Sequence, residues 1–202
     1  TATFLVEVID VIYKTMVARW KKQGKSAAQI QAAWNEYVPT SLLPRLYGYE
    51  LMMAPYAIAH MKIGLKLYET GYRFASDQRA NIYLTNALEE PSQLAQGSAA
   101  SLFEALGHES QAVNDVKRDV HFTVVIGNPP YAKLSSNRTS YAESLVESYK
   151  RMVAGERNVQ PLSDDYIKFM AFSIQTTSRS PIAIISMITN RSYLNGLIHR
   201  GL

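Results

Sequence analysis

Asn128-Pro129-Pro130-Tyr131 stands one glycine after Phe122-Thr123-Val124-Val125-Ile126, the clearest apolar, β-branched run in the chain. Its residue types suit one reaction in particular. An exocyclic amino group is a poor nucleophile because its lone pair is delocalised into the ring. Two oxygens accepting from its two N–H bonds localise that pair and aim it at an electrophilic methyl carbon. Asn128 can supply one oxygen from its side-chain amide, and the backbone carbonyl before Pro130 can supply the second. The proline rings fix the backbone dihedrals and hold that carbonyl in place. Tyr131 offers a flat face on which an extruded base can stack. No strong general base is needed, since the proton becomes acidic once the methyl has transferred. Without its context, the same string also reads as a Pro-Pro turn closing a strand.

Such a site needs strands to carry it and helices to cover them. Phe4 to Trp20 reads as a helix with Leu5, Val8, Ile9, Ile12 and Met16 on one face. A basic, Gly-containing turn ends it, and Ser26 can cap a second helix through Ala28, Ile30 and Trp34. Pro39 and Pro44 bracket a loop. A short strand then runs from Arg45 to Tyr49 and ends at Glu50. A long apolar helix, Ala54 to Tyr68, stops at Gly71. Asn81 to Thr85 is a second strand, ending at Asn86. Helical material covers Ser92 to Val116. Phe122 to Ile126 is expected to be a buried parallel strand. A polar loop spans Ala132 to Tyr141, a helix follows, and another polar loop runs from Gly155 to Leu162. Ser163 can cap a helix starting at Asp164, and Ile182 to Ile188 is a last strand.

Alternating strands and helices predict an α/β fold with an open, mostly parallel sheet covered on both faces. Ligands of such sheets bind beyond the carboxyl ends of the strands. Glu50, Asn86 and Asn128 all stand at strand ends, so one crevice could gather them.

The 202 residues suffice for one core of ordinary size, and we expect a single domain over residues 1–202. Hydrophobic content of 47% and charged content of 19% describe a globular chain. No apolar run reaches bilayer-spanning length, and the start lacks a signal pattern. A cytoplasmic protein with no membrane partner is therefore expected. The absent initiator methionine points to a start inside a longer protein. With no cysteine, disulfides and thiolate metal sites are excluded. His60, His108, His121 and His199 are scattered without ligand spacing, and we read each as a surface or satisfied core residue rather than a metal ligand. A net charge of +4 says little by itself about a polyanionic partner.

The Asn128–Tyr131 segment resembles motif IV of the amino-methyltransferases, and the surrounding chain resembles the gamma group of N6-adenine DNA methyltransferases. Two further stretches are similar to the methyltransferase domain of type ISP restriction–modification enzymes: Asp164-Asp165-Tyr166-Ile167-Lys168-Phe169, and Ile188-Thr189-Asn190-Arg191-Ser192-Tyr193-Leu194-Asn195-Gly196. This resemblance implies a Rossmann-like fold that uses S-adenosyl-L-methionine, with its first strand lying before Thr1. Thr1-Ala2-Thr3-Phe4 resembles the tail of the Gly-rich motif I that approaches the methionine part of the cofactor, with Ala2 where a glycine is usual. Glu50 resembles the motif II acid that accepts from both ribose hydroxyls, and Leu51 the apolar residue that packs on the adenine. Asn86 resembles the motif III position, commonly Asp, that binds the adenine amino group, with Ala87 as its neighbour. Tyr166 and Phe169 resemble motif V, a pairing that also reads as core. Lys168 points elsewhere and reads as solvated. Arg191 and Arg200 read as phosphate contacts or as surface charges.

The implied function is methyl transfer to the N6 amino group of adenine, flipped out of double-stranded DNA. The implied partners are helicase-like, nuclease and target recognition domains of a parent chain, the last not visible here. Two alternatives stand beside it. An Asn-Pro-Pro-Tyr segment also serves RNA and protein amino methyltransferases, although the two downstream stretches are foreign to those. The second alternative is a non-catalytic fragment or degenerate domain serving as scaffold or DNA-contact module. A nicotinamide-binding dehydrogenase is disfavoured, because no complete G-x-G-x-x-G is present.

Overall fold

The computed structural model describes residues 1–74, 78–90, 102–131 and 137–202, with 102–110 as backbone only. The chain divides into two compact units, Thr1–Asn86 and Ala87–Leu202.

In the first unit, helix α1 (Thr3–Lys22) precedes α2 (Ala27–Tyr37), strand β1 (Tyr47–Glu50), α3 (Met53–Glu69) and strand β2 (Asn81–Leu84). The apolar face expected on α1 is real: Ile9 is fully buried, and Leu5, Val8, Ile12 and Met16 pack around the same core. Ser26 caps α2 as expected and Gln29 reciprocates, so two orphan backbone donors are satisfied. The expected Pro39–Pro44 loop is instead wound, as a π-turn Val38–Leu42 and a 3-10 turn Leu43–Arg45. Burial of Val38, Leu42 and Leu43 explains this, because wound backbone satisfies its own polar groups in the core. Trp34 is at the centre, fully buried, with its indole N–H on Thr70 Oγ1 at 2.9 Å. Tyr13 meets it edge-on and Tyr37 stacks on it.

β1 and β2 pair in parallel, with Tyr47 opposite Asn81 and Glu50 opposite Leu84. Leu5 of α1 reaches β1 where Gly48 leaves room. A methyl built there would lie 2.7 Å from Ile82 Cδ1 and 3.1 Å from Leu5 Cδ1.

In the second unit, α4 (Leu102–Asp119) leads to β3 (Val124–Gly127), α5 (Ser140–Met152), α6 (Asp165–Thr177), β4 (Ile184–Met187) and the short α7 (Ser192–Asn195). The expected helical region from Ser92 begins at Leu102 within the described residues; positions 92–101 lie outside them, as do 132–136 of the expected loop. β3 and β4 pair in parallel, Val124 opposite Ile184. Among the described residues the strand pairings are thus parallel, in two two-stranded sheets.

Three expectations need correction in this unit. β3 is not buried: Val124 is 58% and Ile126 41% exposed, since among the described residues β3 has a strand neighbour on one side only. The cap of α6 is Asp164 rather than Ser163, whose hydroxyl turns to Glu143. Within the expected Gly155–Leu162 loop, Leu162 is buried, and Gln160–Ser163 forms a 3-10 turn that packs on α5.

Candidate functional site

The candidate residues belong to different units. Thr1, Thr3, Phe4, Glu50, Leu51 and Asn86 lie in the first, whereas Ala87, Asn128, Pro129, Pro130 and Tyr131 lie in the second.

In the first unit, the register of β1 and β2 puts Glu50 and the chain after Leu84 at adjacent strand ends. Thr85 N–H donates to the Glu50 carbonyl at 2.8 Å, which leads directly to half-buried Asn86. The Glu50 carboxylate is preset. Its Oε1 accepts from the backbone N–H of Leu51 at 3.0 Å and of Met52 at 3.4 Å. Partial burial works against its charged form and the two backbone amides work for it. The carboxylate is thus an acceptor oriented at the end of β1.

The start of α1 is unusual. Ala2 takes φ 55°, the left-handed region, and gives no side-chain cap. The first-turn N–H groups thus lack a side-chain acceptor at the positive end of a long helix, where an anion is favoured. Thr1 and Thr3 are exposed with hydroxyls 3.4 Å apart, and Phe4 is half-buried. Beyond Glu50, Leu51, Met52 and Met53 present a run of exposed apolar side chains, 64%, 63% and 58% accessible. Such a run suits an apolar ligand surface better than water.

In the second unit, Asn128 is exposed immediately after β3, Pro129 is buried, and Pro130 and Tyr131 are exposed. The Tyr131 hydroxyl lies 2.9 Å from both Asn128 Oδ1 and Ile188 O. One hydroxyl has one proton, so it cannot donate well to both. The Asn128 amide oxygen has two lone pairs, so accepting from Tyr131 leaves one for a further donor. Ile188 N–H also donates to Gly127 O at 3.0 Å, so the segments leaving β3 and β4 are cross-tied.

Sequence reasoning did not foresee this role for Ile188, although the residue opens one of the two family-like stretches. Those stretches meet in space. Tyr166 is buried on α6, and its ring lies 6.5 Å from that of Tyr193. Lys168, expected to be solvated, is fully buried: its ammonium holds Asn137 O at 2.5 Å and Glu143 Oε1 at 2.6 Å. The apolar environment demands such partners for a charge. Arg200 is committed to Glu156 at 2.8 Å. His199 departs from the expected satisfied histidine, being buried with neither ring nitrogen hydrogen-bonded. Ala87 is half-buried in the turn that opens the second unit. No group of three or more potential metal ligands occurs among the described residues, and no helix there is long and apolar enough to cross a membrane.

Residues 45–202 match the family described as Eco57I restriction-modification methylase. No curated protein matches the sequence. The chain is similar to the solved ATP-dependent type ISP restriction-modification enzyme LlaBIII bound to DNA, with a TM-score of 0.69 and 23% identity over 99% of this chain. It is also similar to a nuclease-deletion mutant of the type ISP enzyme LlaGI in complex with a DNA substrate mimic, with a TM-score of 0.68 and 20% identity over 98% of this chain. The matched regions are 12% and 15% of those much longer chains. The α/β arrangement of parallel strand pairs and helices is therefore that of one region of type ISP enzymes, consistent with a Rossmann-like methyltransferase fold.

Proposed function

This chain belongs to the Eco57I restriction-modification methylase family, and from that premise we propose that it transfers a methyl group from S-adenosylmethionine to the N6 amino group of adenine in double-stranded DNA. The observation that carries the reading is an exposed Asn128 amide at the end of β3, oriented by Tyr131, which is itself tied to Ile188. Both similar enzymes were solved with DNA or a DNA mimic. The parent chain is proposed to supply helicase-like, nuclease and target recognition parts, within a restriction–modification system.

The first unit fits the cofactor. Glu50, a carboxylate oriented by two backbone amides, suits the ribose hydroxyls. The uncapped first turn of α1, with Thr1, Thr3 and Phe4, suits the carboxylate of the methionine part. Exposed Leu51 suits the adenine face, while Asn86, with Ala87 beside it, suits the adenine amino group. When bound, the cofactor supplies a methyl carbon activated by a sulfonium.

The chain's own residues prepare the acceptor. Asn128 Oδ1 and the carbonyl before Pro130 accept from the two N–H bonds of the target amine, and so turn its lone pair outward. Buried Pro129 and the Pro130 ring keep the second carbonyl from moving. The ring of Tyr131 stacks on the flipped base while its hydroxyl stays on Ile188. Rate enhancement comes from alignment and preset acceptors.

In the full-length protein, labelled methyl should appear on adenine in duplex DNA and not on RNA or protein. Asn128→Ala should abolish transfer with cofactor affinity within about twofold of native, because only the transition-state contact is removed; retained turnover refutes the role. Glu50→Ala should weaken cofactor binding about tenfold or more, the cost of losing charged hydrogen bonds. An unchanged titration curve would remove Glu50 from the site.

A further inference from the structure

We propose that the basic turn ending α1 is a second contact for the backbone of duplex DNA, independent of base sequence and apart from the residues proposed to hold the cofactor; the choice of DNA as the polyanion rests on the reading above. The chain's positive charge is concentrated here. Residues 11–35 hold five cations, Lys14, Arg19, Lys21, Lys22 and Lys25, and no aspartate or glutamate. Lys14 is paired with Asp10. Arg19, Lys21, Lys22 and Lys25 are exposed, and none of the four makes an ion pair among the described residues.

Backbone geometry gathers these four charges within seven residues. Gly24 takes φ 79°, the left-handed conformation that ends a helix, and a Cβ built on it would meet nothing within 4 Å. The N–H groups of Gln23, Gly24 and Lys25 donate back to the carbonyls of Arg19, Lys21 and Trp20 at 3.2, 3.0 and 3.2 Å. The Lys25 ammonium lies 5.5 Å from the centre of the Trp20 ring, which belongs to the core of the first unit. The turn is thus ordered and open to solvent. It leads into the positive end of α2, whose first turn holds no acid. The 20 residues of α1 separate it by about 30 Å from Thr3 at the other end of the helix.

Helix capping does not account for the cluster. Cations in a last helical turn do gain from the dipole. Here, however, the carbonyls of Arg19, Trp20 and Lys21 already accept from backbone N–H groups, and Lys25 stands beyond α1, one residue before the cap of α2. Like charges held this close repel one another, and an anion of matching density relieves that repulsion. Duplex DNA carries one negative charge per about 1.7 Å of its axis, and it releases condensed counterions when lysine and arginine meet its phosphates. An acidic protein surface has no such condensed layer to release, so the charges favour the nucleic acid.

The test uses the full-length protein and a mixed-sequence DNA duplex, without cofactor. Acetylation of Lys21, Lys22 and Lys25, followed by mass spectrometry, should slow several-fold under saturating duplex and recover as salt is raised. Native reactivity at all three lysines under saturating duplex overturns the proposal, and so does protection by double-stranded RNA but not by DNA. A second readout is the salt dependence of duplex affinity. Arg19→Gln, Lys21→Gln, Lys22→Gln and Lys25→Gln together should reduce the slope of log Kobs against log salt by about 3–4, at about 0.9 per phosphate met. Lys21→Arg, Lys22→Arg and Lys25→Arg should keep the native slope, because the charge is kept. A folded glutamine variant with the native slope overturns the contact. Should that variant not fold, Lys21→Gln with Lys22→Gln should still reduce the slope by about 2, and a native slope there overturns it equally. Neither readout needs methyl transfer. Protection without methylated adenine leaves the surface standing and removes the methyl-transfer reading, whereas methylated adenine without protection removes the surface alone.

Discussion

Ala2 carries a conformation that its own side chain opposes. At φ 55° an L-residue brings Cβ toward the following carbonyl, which costs about 1–2 kcal/mol, while glycine escapes that cost and loses some backbone entropy instead. Ala2→Gly should therefore raise stability by a net of about 0.5–1 kcal/mol. Denaturant unfolding of the single variant measures it, and a loss of stability would show that the left-handed turn is absent in solution. At Asn128 the side-chain oxygen accepts from Tyr131 with one lone pair and keeps the other for a ligand.

Between elements, packing turns on close approach. Gly48 is where α1 lies on β1, and the space a side chain would need is taken by Ile82 and Leu5. Gly48→Val should cost about 1–3 kcal/mol despite the better strand propensity of valine, since overpacking strains a filled core. Adding Ile82→Ala should return part of that loss, because the two sites share one volume. Thermal melts of the two single variants and the double variant check this, and strictly additive losses would place the clash elsewhere. The α5–α6 pair depends instead on charge, with Glu143 between Lys150 and Lys168.

For the whole molecule, acidification should weaken the fold in two separate windows. Burial of His199 without a hydrogen-bond partner lowers its pKa below the ordinary 6.5. Above that value neither the folded nor the unfolded state carries the proton. Below it the unfolded chain binds a proton that the folded chain refuses, so stability falls as pH drops through 6.5 toward the lowered value. His199→Phe should remove this slope, and unfolding free energies measured on either side of about pH 6.5 give the comparison. Equal slopes in the two proteins would mean that the ring is hydrated. Glu143 acts at lower pH. Burial raises its pKa, but Lys150 and Lys168 lower it further, so its contribution is present above the ordinary 4.5 and is lost as pH falls through the depressed value.

Local chemistry made much of this chain legible in its sequence. The seam of α1, the Ser26 cap, the parallel strands and the abrupt stop at Asn128 all follow from short-range patterns, because periodicity, capping and proline geometry act over a few residues. The three stretches that resemble adenine methyltransferases were likewise visible as strings. Tertiary structure alone decided how they meet. A lysine on a helix reads as solvated until the fold buries it on Asn137 and Glu143, and an isoleucine after a strand gives no sign that its carbonyl will hold Tyr131. Hydrogen bonds between residues dozens of positions apart depend on the path of the whole backbone, which no local pattern encodes. The exposure of β3 has the same origin, since burial is a property of neighbours rather than of the strand's own residues.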